Sequence, residues 1–360
     1  MADKYRMEGN KMLWHMDRVY AWMRGERIAP LTIDAGLGKG CNIHCEYCFG
    51  TMQGNEYKDG ARIVFPREAL LQYMRDAGTA GVRSIALIGE SEPTLNPALY
   101  DAIIEGKRAG VDMSLGTNGI LYDKGPAGEA ALENLTWIRF NISAKDKEGY
   151  RRIHNSDMFD TVVDKIAFCV DTRNKKKLNT TIGLQMVLTP SNVNQVVGLA
   201  KLGKELGVDY FVVKQCSDST DNELGIYNRL DEYKNFEDEL KLAEKESTDK
   251  YDVIVKWKPV MDKGVRNYKT CYGAPFLLYT SGDGRVYPCG MFFDYQEEEY
   301  RMGDLTKQSF LDIINSERYW EVVEKVKEIN VCNCYSNCKT HSMNQFLWEL
   351  KNPPSHINFV

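Results

Sequence analysis

The sequence predicts an α/β protein, a partial (β/α)6 barrel followed by a small α+β domain, and three observations carry this. Six short apolar segments alternate with helix-like segments between residues 31 and 215, the pattern of parallel strands with helices outside. Polar residues gather at the C-terminal ends of those strands, where such folds keep their chemistry. Beyond residue 250 the pattern changes to a hairpin and a cysteine-rich end. The 360 residues are enough to bury a large core. A hydrophobic fraction of 43% and a charged fraction of 27% suit a globular protein. The net charge of −5 argues against nucleic acid as a partner. The polar stretch Met1 to Asn10 is unlike a signal peptide, and no apolar run is long enough to span a membrane. The expected location is therefore cytoplasmic, where ten cysteines point to metal rather than to disulfides.

Taken in order, Lys11 to Arg24 carries Leu13, Met16, Tyr20 and Met23 at helical spacing and stops at Gly25, a favourable residue past a helix end. Leu31 to Ala35 reads as strand one. Phe65 to Ala77 is helical and Ser84 to Ile88 is a buried strand. Asn96 and Pro97 start a helix that runs to about Lys107. Asp112 to Leu115, Trp137 to Ile142, Thr181 to Leu188 and Tyr210 to Lys214 supply strands three to six. Helices at Pro126 to Asn134, Asp160 to Thr172 and Asn192 to Leu206 separate them. Ser217 to Lys250 is charge-rich and reads as a solvated helical connection. Tyr251 to Trp257 alternates like an edge strand. Leu277 to Thr280 and Arg285 to Pro288 flank Ser281-Gly-Asp-Gly284 as a hairpin. Gln308 to Val326 is helical, and Met343, Phe346, Leu347 and Leu350 mark a last helix. Four parts follow: residues 1–30 with one helix, a barrel over 31–216, a connection over 217–250, and a smaller domain over 251–360.

The stretch after strand one, Gly40 to Gly50, holds Cys41, Cys45 and Cys48 at C-x3-C-x2-C spacing. Three thiolates on one loop can hold three irons of a cubane and leave the fourth open. A structural zinc site would need a fourth ligand nearby, and none is present. Gly36-Leu-Gly38-Lys-Gly40 lacks the spacing and the hydroxyl residue of a phosphate loop and reads as flexible backbone leading into the cysteines. His44 reads as a spacer and His154 as a surface or capping histidine. Further strand ends carry Gly89-Glu-Ser-Glu-Pro-Thr-Leu95, Thr117-Asn-Gly119, Asn141-Ile-Ser143, Gln185, and Lys214-Gln-Cys216. Polar groups converging on one rim make the default active site.

Together these motifs resemble the radical S-adenosylmethionine (SAM) superfamily, whose barrel is TIM-like and partial. The cysteine spacing matches, with the aromatic Tyr47 before the last cysteine. Gly89 to Leu95 resembles that family's glycine–glycine–glutamate motif, and Thr117 to Gly119 its strand-three ending. The resemblance implies that Cys41, Cys45 and Cys48 hold a [4Fe–4S] cluster whose open iron binds SAM. It implies that Glu92, rather than Glu90, accepts from the SAM amino group, as a charge-assisted contact. Tyr47 would lie near the adenine, and Ser91, Asn118, Asn141, Ser143 and Gln185 would complete the cofactor contacts. Two departures stand out. Ser91 replaces a usual glycine, and Ser143-Ala-Lys145 replaces a serine–leucine–aspartate ending. Such enzymes cleave SAM with one electron to a 5′-deoxyadenosyl radical, supplied by a reductant such as flavodoxin or ferredoxin.

Cys271-x12-Gly284-x4-Cys289 and Cys332-x-Cys334-x3-Cys338 resemble the SPASM/twitch extensions of the same superfamily, which carry auxiliary [4Fe–4S] clusters. Five cysteines suit one cluster and a spare, as in the shorter twitch pattern. The expected ligands are Cys271, Cys289, Cys334 and Cys338, with Cys332 spare because C-x-C cramps the backbone. A zinc knot is the rival reading. Cys169 reads as a small buried hydrophobe. Cys216, ending strand six, could give a hydrogen atom to a substrate radical, as an epimerase requires. Lys214 could bind an anionic substrate or act as a base. Only one helix precedes the barrel, which favours a small molecule, a sugar or cyclitol to be oxidised or epimerised. The alternatives are a maturase of ribosomally made peptides and a non-catalytic iron–sulfur scaffold.

Overall fold

The computed structural model describes residues 9–48, 63–218, 222–257, 266–335 and 338–359. Phe49 and Gly50, which close the cysteine loop, and residues 219–221 of the charged connection lie outside them. The N-terminal helix is tightly wound at first (Gly9–His15) and continues as α1 (Met16–Met23). Six strands form where alternating apolar residues predict them: β1 (Thr32–Ala35), β2 (Ser84–Leu87), β3 (Asp112–Thr117), β4 (Leu135–Asn141), β5 (Thr181–Leu188) and β6 (Tyr210–Gln215). Each pairs in parallel with the next. Parallel neighbours need crossovers. These contain α2 (Arg67–Ala80), α3 (Leu99–Arg108), α4 (Pro126–Asn134), α5 (Lys147–His154), α6 (Phe159–Lys176) and α7 (Val196–Leu206). Helices α2 and α7 stop at Gly81 and Gly207, both in the left-handed conformation that glycine adopts without strain.

The period of two along each strand separates two environments. Ile33, Leu87, Leu115, Phe140, Leu184 and Val213 are fully buried in one apolar core with helix residues such as Leu70, Leu99 and Ile166. Alternate positions Asp34, Arg139, Asn141, Gln185 and Lys214 instead line a central cavity. The helix-facing side is apolar, and the other side presents charge to a shared space.

Four secondary-structure elements depart from expectation. The segment read as an edge strand of the second domain, β7 (Asp252–Val255), pairs in parallel with β6 and becomes a seventh barrel strand. It follows α8 (Glu237–Glu244), so it completes one more strand–helix–strand unit. At the opposite edge, β8 (Leu277–Thr280) pairs in parallel with β1. Its hairpin partner β9 (Arg285–Tyr287) and then β10 (Gly303–Asp304) follow antiparallel. One ten-stranded sheet results, in the order β10-β9-β8-β1-β2-β3-β4-β5-β6-β7. The helix expected over 308–326 is broken at Ser316. Its side chain accepts from the Tyr319 backbone N–H and starts Glu317–Lys325 afresh after Phe310–Asn315. Finally, α5 was not expected. Asp146 caps it by accepting from Gly149 N–H at 2.8 Å, and it ends at Asn155 in a left-handed conformation.

The glycine-rich stretch before the cysteines is a packed junction rather than flexible backbone. A Cβ at Gly89 would lie 2.2 Å from Gly36 Cα, and one at Gly282 would lie 1.8 Å from Gly38 O. Three loops therefore touch backbone to backbone, which only glycine permits. Charge reinforces the contact. Lys39 pairs with Asp283 at 3.2 Å, and Glu90 accepts from the Ser281 hydroxyl and, at 2.8 Å, from Gly282 N–H.

Candidate active site

The cysteine loop follows β1. Cys41, Cys45 and Cys48 all line the cavity, whose volume is about 830 Å³. His44 between them is exposed, as a spacer would be. Asn118, after β3, donates to Asn42 Oδ1 at 2.7 Å and points its amide at Cys41 Sγ, 3.7 Å away. Burial pushes the Cys41 and Cys45 thiols up in pKa, so a cation is what would turn them into thiolates.

Glu92 and Glu90 separate by role. Glu90 is spent on the hairpin loop described above. Glu92 Oε1 accepts from Thr94 N–H, Thr94 Oγ1 and Thr117 Oγ1 at 3.0, 2.7 and 2.6 Å. Its Oε2 accepts from Asn118 N–H at 2.7 Å. Four donors fit an ionised carboxylate. Burial lifts its pKa against them. Oε2 has one donor among the described residues, which leaves it acceptor capacity toward the cavity that Glu92 lines. Ser91, Asn118, Asn141 and Gln185 line the same cavity. Ser143 does not. It is fully buried, and its hydroxyl donates to Tyr47 OH at 3.2 Å and accepts from Val187 N–H at 3.1 Å. Tyr47 reaches the cavity but anchors its hydroxyl in this network, accepting also from Asn141 Nδ2 at 3.0 Å.

His154 corrects the sequence reading most clearly. It is fully buried at the end of α5, stacked on Tyr150 with ring centroids 4.3 Å apart. The Ser143 backbone N–H donates to Nε2 at 2.9 Å, so that nitrogen carries no proton. Burial holds the ring neutral, with a pKa lowered to about 3. The single ring proton therefore sits on Nδ1, which is 3.1 Å from Cys45 Sγ. Nothing in the local sequence signals this contact, because it joins residues 109 apart.

At the other end of the cavity stand Cys271, Cys289, Cys334 and Cys338. Cys332 is exposed and does not line it. Asn344 Nδ2 donates toward Cys271 Sγ at 3.5 Å, and Thr340 Oγ1 lies 3.2 Å from Cys338 Sγ. Burial, then the neighbouring Cys338, pushes Cys334 up to about 12 and raises Cys271 and Cys289 as well. Among the described residues, no three Cys, His, Asp or Glu side chains gather tightly enough for a single metal ion. Both sets line the cavity and are met by amide, imidazole or hydroxyl groups, surroundings that fit iron–sulfur clusters.

Between the two sets lies a charged wall. Lys214 points into the cavity, its pKa depressed to about 8 by burial and then by Arg139 and Lys339. Lys339, next to Cys338, donates to both carboxylate oxygens of Asp34 on β1. Cys216 is buried on the same wall, its thiol pushed up to about 12 by burial and then by Asp218. Asp34, Arg139 and Lys339 escaped the sequence reading. A charge between buried apolar neighbours, as Asp34 between Ile33 and Ala35 and Arg139 between Ile138 and Phe140, is the signal that could have found two of them. Cys169 is fully buried in α6.

Residues 37–202 match the Radical SAM superfamily, and residues 271–339 match SPASM, an iron–sulfur cluster-binding domain. A probable GTP 3′,8-cyclase of Saccharolobus islandicus is 29% identical over 170 residues, 47% of this chain and 51% of its own. The chain thus spans about half the length of such relatives. The tungsten-containing aldehyde ferredoxin oxidoreductase cofactor-modifying protein of Pyrococcus furiosus is 24% identical over 295 residues, 78% of this chain and 79% of its own. In fold, SuiB of Streptococcus suis bound to precursor peptide SuiA aligns over 91% of this chain and 74% of its own. Its TM-score is 0.65 and its identity 14%. Native anSMEcpe with bound AdoMet aligns over 88% and 89%, with TM-score 0.54 and identity 18%. Among the described residues no helix is long and apolar enough to cross a membrane.

Proposed function

Since this chain belongs to the radical SAM superfamily and ends in a SPASM iron–sulfur domain, we propose that it oxidises a polar small molecule, such as a sugar or cyclitol, beginning with loss of a hydrogen atom. The observation that supports this is that the two cysteine sets line one cavity. Cys41, Cys45 and Cys48 would hold a [4Fe–4S] cluster with SAM, and Cys271, Cys289, Cys334 and Cys338 an auxiliary one. When bound, these groups supply an electron that cleaves SAM, a hydrogen-abstracting 5′-deoxyadenosyl radical, and an acceptor for the substrate's second electron. Glu92 Oε2 would orient the SAM amino group, with Asn118, Asn141 and Gln185 around it. Oxidation also releases a proton, and the wall offers two acceptors: the Asp34 carboxylate and the neutral fraction of Lys214. Both sequence relatives are named for non-peptide molecules, GTP and a cofactor, which favours a small substrate over a peptide.

Epimerisation is the second reading. Cys216 lies on the cavity wall with its thiol held protonated, as a hydrogen-atom donor must be. Reconstituted enzyme is mixed anaerobically with SAM, a strong reductant such as dithionite, and sugars or cyclitols deuterated on ring carbons. Deuterium is expected in 5′-deoxyadenosine, with an oxidised product. A product with one deuterium replaced by hydrogen at an inverted carbon, lost in Cys216→Ala, selects epimerisation. Deuterium arriving only from a peptide replaces both readings, and no 5′-deoxyadenosine with both clusters intact removes the catalytic one.

A further inference from the structure

The charged wall is more than a source of proton acceptors. Arg139 from β4, Lys214 from β6 and Lys339 from the C-terminal domain come from three separate elements and face one cavity. Lys256 and Arg266 line it too, so five cations meet three carboxylates there. Each carboxylate is already engaged: Asp34 by Lys339, Glu90 by the hairpin loop, and Glu92 by its four donors. Two cations hold unused donors. Lys214 makes no hydrogen bond or ion pair with any described residue. Arg266 Nε is buried without a partner among them, although its Nη2 donates to Tyr335 O. Leaving a buried donor such as Arg266 Nε unmatched is costly unless something else meets it, and half-buried Lys214 lines the cavity unpaired among the described residues.

Position adds a second constraint. Arg139 has its guanidinium 5.1 Å from the Trp137 ring centroid and meets Tyr210, which packs with Val212 and Ile254 in a small apolar cluster. Asp34 fixes Lys339 from the side. All three cations line the cavity that both cysteine sets line.

We propose that Arg139, Lys214 and Lys339 form an anion subsite on the inner wall of the cavity, and that the substrate is a small molecule bearing a phosphate or carboxylate held there. This rests on the small-molecule reading given above. It assigns Lys214 to binding rather than to accepting the proton, since a docked anion favours its charged form. It assigns Asp34 to positioning Lys339. Along the paired strands Arg139 lies two residues before Asn141 and Lys214 is level with Val187, two residues past Gln185, so the cations bracket the level of these two amides.

The test uses holoenzyme with both iron–sulfur sites filled and SAM present, compared at equal iron content. Inorganic phosphate and malonate are titrated calorimetrically. At least one should bind, and Lys214→Gln and Arg139→Gln should each weaken it about tenfold, as expected for losing one charge-assisted hydrogen bond. Lys214→Arg should restore most of the affinity. Preference for phosphate or for malonate names the anionic group. The subsite is overturned if neither probe binds wild type. It is also overturned if the variants bind like wild type while the midpoint potential of an iron–sulfur site shifts, for the cations then serve only as its counter-charge. A neutral sugar that donates deuterium to 5′-deoxyadenosine without binding competition from either probe would remove the subsite and keep the small-molecule reading. Deuterium coming only from a peptide would remove both.

Discussion

The Nδ1–H of His154 reaches Cys45 Sγ, a sulfur proposed above to hold iron, and a hydrogen bond to a cluster sulfur stabilises the reduced, more negative state. Replacing His154 with Phe keeps a ring beside Tyr150 and removes the donor. The midpoint potential of the SAM-binding cluster should fall by roughly 40 mV, the equivalent of about 1 kcal/mol for one hydrogen bond, in an electron-paramagnetic-resonance redox titration. An unchanged potential would show that the contact is packing alone. Lys214 allows a second prediction at this scale. Its folded pKa, about 8, lies below that of an unfolded lysine. Between those values the unfolded chain binds more protons, so stability rises with pH there. Lys214→Met should therefore raise the melting temperature of the apoprotein at pH 7, and the gain should shrink as pH climbs through 8 toward 10. A pH-independent gain would assign the effect to packing. Such a side chain, kept although it costs stability, is what a binding site looks like from within.

At the scale of elements, the meeting of three glycine loops positions everything above it. The Cβ of an alanine at Gly282 would strike the Gly38 carbonyl, a backbone atom that cannot swing away. Gly282→Ala should cost about 1–3 kcal/mol in denaturant unfolding, and should lower iron content at both sites, because the loop carrying Cys41 and the hairpin ending at Cys289 both lean on that junction. Full iron loading in a destabilised variant would separate the junction from the sites. The strands and helices of residues 31–215 were legible because apolar alternation and helix caps are local signals. Helix α5 was not, since Asp146 and Asn155 bound a segment with few apolar residues, and only docking against the cysteine loop makes it worthwhile. The break at Ser316 was hidden inside a continuous apolar period. The membership of β7 in the barrel sheet was hidden too, because an alternating segment does not announce its neighbour.

For the whole molecule, one sheet carries both cysteine sets to one cavity. If the four cavity-facing cysteines of the C-terminal part are the ligands, reconstituted wild type should hold about eight irons per chain. Cys332→Ser should leave that number unchanged, whereas Cys334→Ser should reduce it, measured as iron and sulfide per chain. Equal losses in the two variants would return Cys332 to the ligand set. Motif spacing made the first three cysteines readable at sight. It could not give the charged wall, since Asp34, Arg139, Lys214 and Lys339 are scattered over 305 positions and meet only when β1, β4, β6 and the segment after Cys338 are assembled. Ser143 shows the converse, a motif position whose side chain the fold spends on internal hydrogen bonding.

The parallel pairing of β8 with β1 reaches beyond the site. Without β8, the first strand of the barrel would present a bare row of N–H and C=O groups beside the apolar Ile33 and Ala35, a template for pairing with another chain. The C-terminal part thus guards the barrel against self-association. A nascent chain whose barrel forms before residue 277 is made passes through an interval in which that edge is open, and during it the barrel half is most vulnerable to aggregation.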